Sequence, residues 1–131
     1  MPVLVDTNVL SDVIHDDPMW RPWALDQLLK HFGESLINPM IFAELGCRAA
    51  SVNELEETLA PFELNYQEIP KPALYLASQA FMDYSKRGGT KTAPLPDFFI
   101  GAHAAFLGIP ILTRDVARYK TYFPEVALIA P

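Results

Sequence analysis

The sequence predicts a three-layer α/β/α fold, in which a central, mostly parallel sheet of four to five short strands lies between two layers of helices. Short apolar, β-branched runs alternate along the chain with longer helical patterns, as in a parallel sheet covered on both faces. Half of the 131 residues are hydrophobic and a fifth are charged, which is enough apolar material for one compact core. We therefore expect a single domain over residues 1–131.

The individual elements follow from local patterns. Strands are predicted at the short apolar runs 3–5, 35–37, 66–69, 109–112 and 126–129. Helices are predicted between them, at residues 8–15, 20–32, 39–50, 53–60, 72–86, 96–107 and 115–122. Asn38 before Pro39 predicts a helix start, and Ser51 with Glu54 has the spacing of a capping box. Gly108 follows a helical stretch, where a left-handed C-terminal cap is expected.

Charge and cysteine content exclude several classes of protein. The chain has 16 acidic and 10 basic residues, a net charge of −6, which argues against a strongly basic nucleic-acid-binding protein. Cys47 is the single cysteine, so a disulfide framework is excluded, and we expect it to be a buried small hydrophobe. Residues 98–113, the most apolar uncharged stretch, fall short of the ~20 residues that span a bilayer. Because the N-terminus also lacks a signal-peptide pattern, we expect a cytoplasmic protein with no membrane association.

Four acidic residues belong to segments that lead to one edge of the predicted sheet. Asp6 directly follows the first strand, and Asp115 comes shortly after the strand that ends at Leu112. Asp97 lies in the first turn of a predicted helix, and Glu44 lies within the apolar helix after the second strand. One such acid alone is ordinarily a helix cap or a dipole partner. Since ligands bind beyond the carboxyl ends of parallel strands, the four together predict a site at that edge.

Such a cluster needs compensating positive charge. Carboxylates ~4 Å apart repel by about 4 kcal/mol per pair at an effective dielectric of 20, so the cluster must bind a cation or take up protons. A set of oxygen ligands without Cys or His favours Mg²⁺, or Mn²⁺, over zinc. The chemistry expected of this site is phosphoryl transfer, in which the metal activates a water and neutralises charge on the phosphate.

Several motifs resemble those of PIN-domain ribonucleases, and more narrowly those of the VapC-type toxins of bacterial type II toxin-antitoxin systems. The matching elements are VLVDTN at residues 3–8, Glu44 on the third predicted helix, PDFFIGAHA at 96–104 and LTRD at 112–115. The segment from Arg118 to Pro124 is also similar to that family. Each motif is weak alone, but the ordered set covers essentially the whole chain.

The resemblance implies a PIN-like fold and a Mg²⁺-dependent endoribonuclease. The family's acidic quartet falls on Asp6, Glu44, Asp97 and Asp115. Asp6 and Asp97 would bind the metal directly, and the other two would act through water or hold a second ion. Polar residues that would orient these carboxylates are Thr7, Asn8 and Thr113. The implied reaction is hydrolysis of RNA by a metal-activated water that attacks the phosphorus in line, leaving 5′-phosphate and 3′-hydroxyl ends.

The same resemblance implies particular partners. They are an RNA substrate (tRNA, rRNA or mRNA), a second copy of the chain in a homodimer, and a cognate antitoxin whose C-terminal segment lies in a groove over the active site. Bulky apolar residues between Met19 and Phe32 are expected in the core or, with the first helix, at that groove.

Cationic residues provide candidate RNA contacts. Lys86, Arg87 and Lys91 flank a Gly-Gly pair and would neutralise RNA phosphates, or would instead favour a helix C-terminus. Arg114 and Arg118 are better placed to stabilise charge on the scissile phosphate, although surface solvation is the alternative for Arg118.

His103 lies in an apolar helix about two turns from Asp97. It is interpreted as a structural histidine rather than a general acid or base.

Two other functions stay open from the residues alone. A phosphohydrolase with Asp6 as nucleophile is one, although that chemistry usually needs a second aspartate at position 8, where this chain has Asn8. A non-catalytic module that docks a basic peptide in the acidic pocket is the other. If four acids form a metal site, 12 acidic residues remain against 10 basic ones, so the net charge no longer excludes RNA.

Overall fold

A computed structural model describes residues 1–91 and 95–131, and these residues form five strands, seven α-helices and one short 3₁₀ helix at Ala60–Phe62. The strands are β1 (Val3–Val5), β2 (Ser35–Ile37), β3 (Asn65–Tyr66), β4 (Ile111–Leu112) and β5 (Leu128–Ile129). The α-helices are α1 (Thr7–Ile14), α2 (Arg21–Lys30), α3 (Pro39–Gly46), α4 (Val52–Leu59), α5 (Lys71–Lys86), α6 (Pro96–Leu107) and α7 (Val116–Lys120).

All neighbouring strands are parallel, in the order β3-β2-β1-β4-β5. The predicted α/β fold with a central parallel sheet is therefore confirmed. The central strand β1 pairs with β2 on one side and with β4 on the other: Leu4 lies opposite Leu36 and Ile111. The chain runs outward from β1 through β2 to β3 and then returns to the other side of β1, where β4 and β5 lie. The strand order therefore reverses at β1, and such a switch point opens a crevice at the carboxyl ends of the strands.

The core is built around the central strands. Every residue of β1, β2 and β4 is buried, because helices cover both faces of the sheet. A second apolar cluster joins α5 and α6 to the segment after α7 and includes the buried rings of Phe98 and Phe123. Two helix starts predicted from the sequence are confirmed. Asn38 caps α3 by accepting the backbone N–H of Ile41 at 3.0 Å, and Ser51 caps α4 by accepting the backbone N–H of Glu54 at 3.0 Å.

Several elements are shorter than predicted. The third strand covers Asn65–Tyr66 rather than 66–69, and the last two strands keep only their final two residues of the predicted four. The third helix ends at Gly46 instead of continuing to Ala50. Strand ends depend on pairing with a neighbour, which a local apolar run does not encode.

One expectation about burial was wrong, and the two alternatives of another are both represented. Cys47 is exposed, because it follows the end of α3 instead of facing the core within it. Met19, Leu29 and Phe32 are also exposed, whereas Leu28 of the same segment is buried. The apolar segment therefore divides between core and surface. In residues 1–91 and 95–131, no helix combines the length and apolar character needed to cross a membrane.

Candidate active site

Asp6 directly follows β1 and lies at the centre of a hydrogen-bond network. Its side chain is 0% exposed, and both of its oxygens accept hydrogen bonds. Oδ1 accepts the backbone N–H of Thr7 at 2.8 Å, which caps α1. Oδ2 accepts the hydroxyl of Thr113 at 2.8 Å and the side-chain amide of Asn8 at 3.2 Å. Three donors therefore fix the orientation of a fully buried carboxylate.

Thr113, the residue after β4, joins the ends of the two central strands. Besides donating to Asp6, its hydroxyl accepts the backbone N–H of Asp115 at 3.0 Å and the Asn8 amide at 3.3 Å. The side-chain oxygen of Asn8 also accepts the backbone N–H of Arg114 at 3.3 Å, across 106 residues of sequence. These bonds hold the loop after β4 against the start of α1.

Glu44 is brought to the same edge by α3. The hydroxyl of Thr7 donates to Glu44 Oε1 at 2.6 Å, while the backbone of Thr7 donates to Asp6. Thr7 therefore connects two of the predicted carboxylates. All three polar residues expected beside the carboxylates, Thr7, Asn8 and Thr113, make side-chain or backbone contacts to this network.

Asp97 and Asp115 are contributed by α6 and by the segment before α7. Asp97 lies in the first turn of α6, and Asp115 immediately precedes α7. Burial raises the pKa of Asp97; the charge of Arg118 lowers this pKa, and the carboxylates of Asp6, Glu44 and Asp115 raise it. The four acids predicted from the sequence thus lie close enough together for their charges to interact.

Arg118, on α7, lies among these acids. Its guanidinium nitrogens are 3.3 Å from Asp115, 3.5 Å from Asp97 and 3.9 Å from Asp6. The side chain is 30% exposed, so the guanidinium forms one wall of the site and still reaches solvent. Of the five cationic residues singled out in the sequence, it is the one seen to contact the predicted quartet.

The donor chemistry of the cluster fits a hard divalent ion. Carboxylate and hydroxyl oxygens converge on it, and such ligands suit Mg²⁺ or Mn²⁺. Within the described part of the chain, however, no three acidic, histidine or cysteine side chains are close enough to share one ion. The guanidinium of Arg118 lies between three of the carboxylates, at 3.3–3.9 Å from each. The residue types therefore fit a divalent ion, while the carboxylates of Asp6, Asp97 and Asp115 are arranged around the guanidinium of Arg118.

Arg114 is engaged elsewhere. Its Nε and Nη2 donate to Asp12 at 2.6 and 3.1 Å, and its guanidinium lies 5.6 Å from the ring centroid of Trp20. Asp12 is only 4% exposed, so its charge is compensated by Arg114 rather than by solvent. This ion pair between a buried carboxylate and a partly exposed guanidinium connects α1 to the loop after β4. Its two members lie 102 residues apart, so neither indicates the other in the sequence.

The basic segment after α5 lies on the surface. Lys86, Arg87 and Lys91 are exposed; Arg87 pairs with Asp83 at 3.2 Å and lies 5.5 Å from the ring centroid of Tyr122. Arg87 therefore lies at the C-terminus of α5, where a cation is favourable, and its exposed charge is also available to an RNA phosphate.

Tyr119 is a site residue that sequence reasoning missed. Its ring is fully buried, and its hydroxyl lies near the carboxylate of Asp6. Burial raises the pKa of this hydroxyl, and the nearby charge of Asp6 raises it further. The segment around Tyr119 was noted only as similar to a family, and nothing in its local pattern places a phenol next to Asp6.

His103 is fully buried on α6. Its Nδ1 lies 3.2 Å from the side-chain nitrogen of Asn38, which is a donor, so Nδ1 accepts. Burial lowers the pKa of His103 and favours the neutral ring. These contacts agree with a structural role, because they connect α6 to the start of α3, the helix that carries Glu44.

Comparison with known families and structures extends this description. The sequence model of the PIN domain family matches residues 3–124. No curated protein matches the chain. Solved structures do: VapBC2 from Rickettsia felis bound to a DNA fragment from its promoter matches with a TM-score of 0.74 at 15% identity, covering 99% of this chain and 98% of that one.

Two further structures give the same picture. DNA-bound VapBC from Salmonella typhimurium matches with a TM-score of 0.74 at 18% identity, over 99% of this chain and 98% of that one. FitAcB from Neisseria gonorrhoeae matches with a TM-score of 0.65 at 24% identity, over 98% and 97%. At these identities the likeness establishes a shared fold along nearly the full length of both chains.

Proposed function

Because the chain belongs to the PIN domain family, we propose that it is a Mg²⁺-dependent endoribonuclease, with Mn²⁺ as an alternative ion, and the toxin of a type II (VapBC) toxin-antitoxin system. The observation that carries the proposal is the meeting of Asp6, Asp97 and Asp115 around one cation, with Glu44 joined to them through Thr7. A cluster of this charge at a switch point of a parallel sheet suits phosphate chemistry.

Each carboxylate has a proposed role. Asp6 and Asp97 would hold the ion directly, and Glu44 and Asp115 would bind it through water or hold a second ion. When bound, the ion supplies an activated water and neutralises charge on the phosphate. Asp6 is the best-oriented ligand, since three donors fix its oxygens. The proposed hydrolysis leaves 5′-phosphate and 3′-hydroxyl ends on the RNA.

Cationic residues around the cluster have different proposed tasks. Arg118 is the candidate for contact with the scissile phosphate, because its guanidinium already lies at the carboxylates. Lys86, Arg87 and Lys91 would bind more distant phosphates of a tRNA, rRNA or mRNA substrate. Arg114 would act chiefly by ordering the loop after β4, since Asp12 occupies two of its donors.

A cognate antitoxin and a homodimer complete the proposed assembly. The similar structures include VapBC2 from Rickettsia felis and a toxin-antitoxin complex from Klebsiella pneumoniae, which supports an antitoxin partner for this chain. Exposed Met19, Leu29 and Phe32 on one segment offer apolar area for a partner. We expect the complex to act in the cytoplasm.

The test is cleavage of defined RNAs by purified protein with Mg²⁺, with Mg²⁺ plus EDTA, and after substitution of the carboxylates. Asp6→Asn and Asp97→Asn should each abolish cleavage and growth inhibition while the circular dichroism spectrum is unchanged. Asp26→Asn is the matched control, because Asp26 is exposed on α2 and pairs only with Lys30 in the described structure; it should cleave normally. Cleavage that persists both in EDTA and after these substitutions would contradict the proposal.

One alternative has an observation in its favour. The carboxylates already hold a guanidinium, so the pocket also suits a non-catalytic module that docks an arginine-bearing peptide. The same assay separates the two functions, since a docking module would not cleave RNA at any Mg²⁺ concentration. A phosphohydrolase with Asp6 as nucleophile is disfavoured, because that chemistry usually needs a second aspartate at position 8, where Asn8 donates its amide to Asp6.

A further inference from the structure

The position of Arg118 bears on how the site acquires its ion. Its guanidinium lies within 3.9 Å of Asp6, Asp97 and Asp115. These include the two residues proposed as direct ligands. A guanidinium and a divalent ion cannot both occupy the space between the same carboxylates, because like charges repel strongly at that range.

The contacts of Arg118 are electrostatic rather than tightly bonded. All three distances, 3.3, 3.5 and 3.9 Å, exceed the roughly 2.7–2.9 Å of a charge-assisted hydrogen bond. Arg114 provides the contrast, since it donates to Asp12 at 2.6 Å in a bidentate pair. The Arg118 side chain is 30% exposed and sits on a helix of five residues. Its guanidinium can therefore leave the cluster for solvent without breaking a short bond.

Asp6 explains why such a cation is needed. Its carboxylate is fully buried, and the three donors that it accepts from are neutral groups. A buried charge requires a compensating charge nearby, and Arg118 supplies one.

We propose that Arg118 is a built-in counter-ion of the carboxylate cluster, and that a divalent ion is shared by Asp6 and Asp97 only after the guanidinium has withdrawn. The proposal rests on the metal-dependent function proposed above and adds a competition between a side chain and the ion. Arg118 is thus a positioning residue that stabilises the metal-free protein and weakens its affinity for the ion.

Mn²⁺ binding tests this without reference to catalysis. Free Mn²⁺ is measured by electron paramagnetic resonance while wild-type protein, Arg118→Gln and Lys120→Gln are titrated. Lys120 is the matched control, since it is exposed on the same helix and its substitution removes the same charge. Arg118→Gln should lower the Kd for Mn²⁺ by about tenfold or more, because it removes a positive charge that repels the ion at contact range. Lys120→Gln should change the Kd much less, because salt screens an exposed charge.

Thermal unfolding gives a second readout. Without metal, Arg118→Gln should melt below wild type, because the cluster loses its counter-ion, and added Mn²⁺ should raise its melting temperature more than that of wild type. Arg118→Lys keeps the charge on a different head group and should fall between the two in Kd; it replaces Arg118→Gln if that variant does not fold.

The outcomes are distinct. If wild type binds Mn²⁺ and Arg118→Gln binds it equally or more weakly, Arg118 organises the carboxylates instead of competing for them, and the inference is overturned while the proposed function stands. If neither protein binds Mn²⁺, both the inference and the proposed function are overturned.

Discussion

At the scale of single residues, the site depends on how one buried carboxylate is held. Asp6 is fixed by Thr7, Asn8 and Thr113, and these donors come from both ends of the chain. The place of Asp6 at the edge of the sheet could be predicted from its position after a strand, because the carboxyl ends of parallel strands meet at one edge. The pairing of Arg114 with Asp12 could not be predicted, since side-chain partners 102 residues apart leave no local pattern.

His103 gives a prediction about pH. Burial lowers its pKa below the ordinary value of 6.5, so the folded protein takes up a proton on this ring only at lower pH than the unfolded chain does. Because the unfolded state then binds more protons, the contribution of His103 to stability is complete above pH 6.5 and declines as the pH falls below it. The melting temperature of wild type should therefore drop more between pH 7.5 and 5.5 than that of His103→Gln.

Circular dichroism melts at both pH values check this expectation. His15→Gln is the control for the loss of a histidine, because His15 is exposed at the end of α1. Equal pH dependence in wild type and His103→Gln would show that the neutral ring contributes nothing to stability in this range.

At the scale of elements, the packing of α5 against α6 determines where Asp97 lies. The α5 and α6 helices meet in an aromatic cluster of Phe81, Tyr84 and Phe98, which also contacts Tyr122. Because Asp97 directly precedes Phe98, this cluster fixes the first turn of α6. Periodicity predicted both helices to within a residue, but it does not indicate which rings meet.

Gly101 allows the packing of α6 to be tested. A Cβ atom there would lie 2.3 Å from the ring of Phe123, which is itself buried in the second apolar cluster. Replacing a helical glycine with alanine usually stabilises by about 0.5–1 kcal/mol. At Gly101 the clash outweighs this gain, so Gly101→Ala should lower the free energy of unfolding by about 1–3 kcal/mol.

Urea denaturation measures the difference, and Gly46→Ala is the matched control. A Cβ at Gly46, the last residue of α3, would meet Leu55 at 4.0 Å, an ordinary van der Waals distance. Gly46→Ala should therefore be neutral or stabilising. If Gly101→Ala were as stable as Gly46→Ala, the close approach of α6 and the Phe123 ring would not limit stability.

At the scale of the whole molecule, the charge is unevenly distributed. The net charge is −6, yet four of the 16 acids are gathered at one edge of the sheet. Composition alone argued against RNA as a partner, and the location of the charges alters that argument. The strand order could not be predicted from composition or periodicity, because it depends on which strands pair across long connections.

This distribution predicts that RNA binding depends on divalent ions. Without them, RNA phosphates face the acidic cluster, and one like-charge contact at 4 Å costs about 4 kcal/mol at an effective dielectric of 20. Adding Ca²⁺, a hard divalent ion, should strengthen the binding of a fluorescent single-stranded RNA by about tenfold or more. Fluorescence anisotropy measures the affinity.

Added NaCl at the same ionic strength is the control, because monovalent salt screens charge without binding the carboxylates. An equal gain in affinity with NaCl would attribute the effect to screening and would contradict a specific ion site.

The strand order has a consequence for the synthesis of the protein. Asp6 follows β1 and its partner Thr113 follows β4, so the two strands pair only after more than a hundred further residues have been added. Asp97, Asp115 and Arg118 are also translated late. A growing chain on the ribosome therefore lacks the complete carboxylate site until Arg118 has been added. If the protein cleaves RNA, nascent chains that stop short of this residue cannot do so.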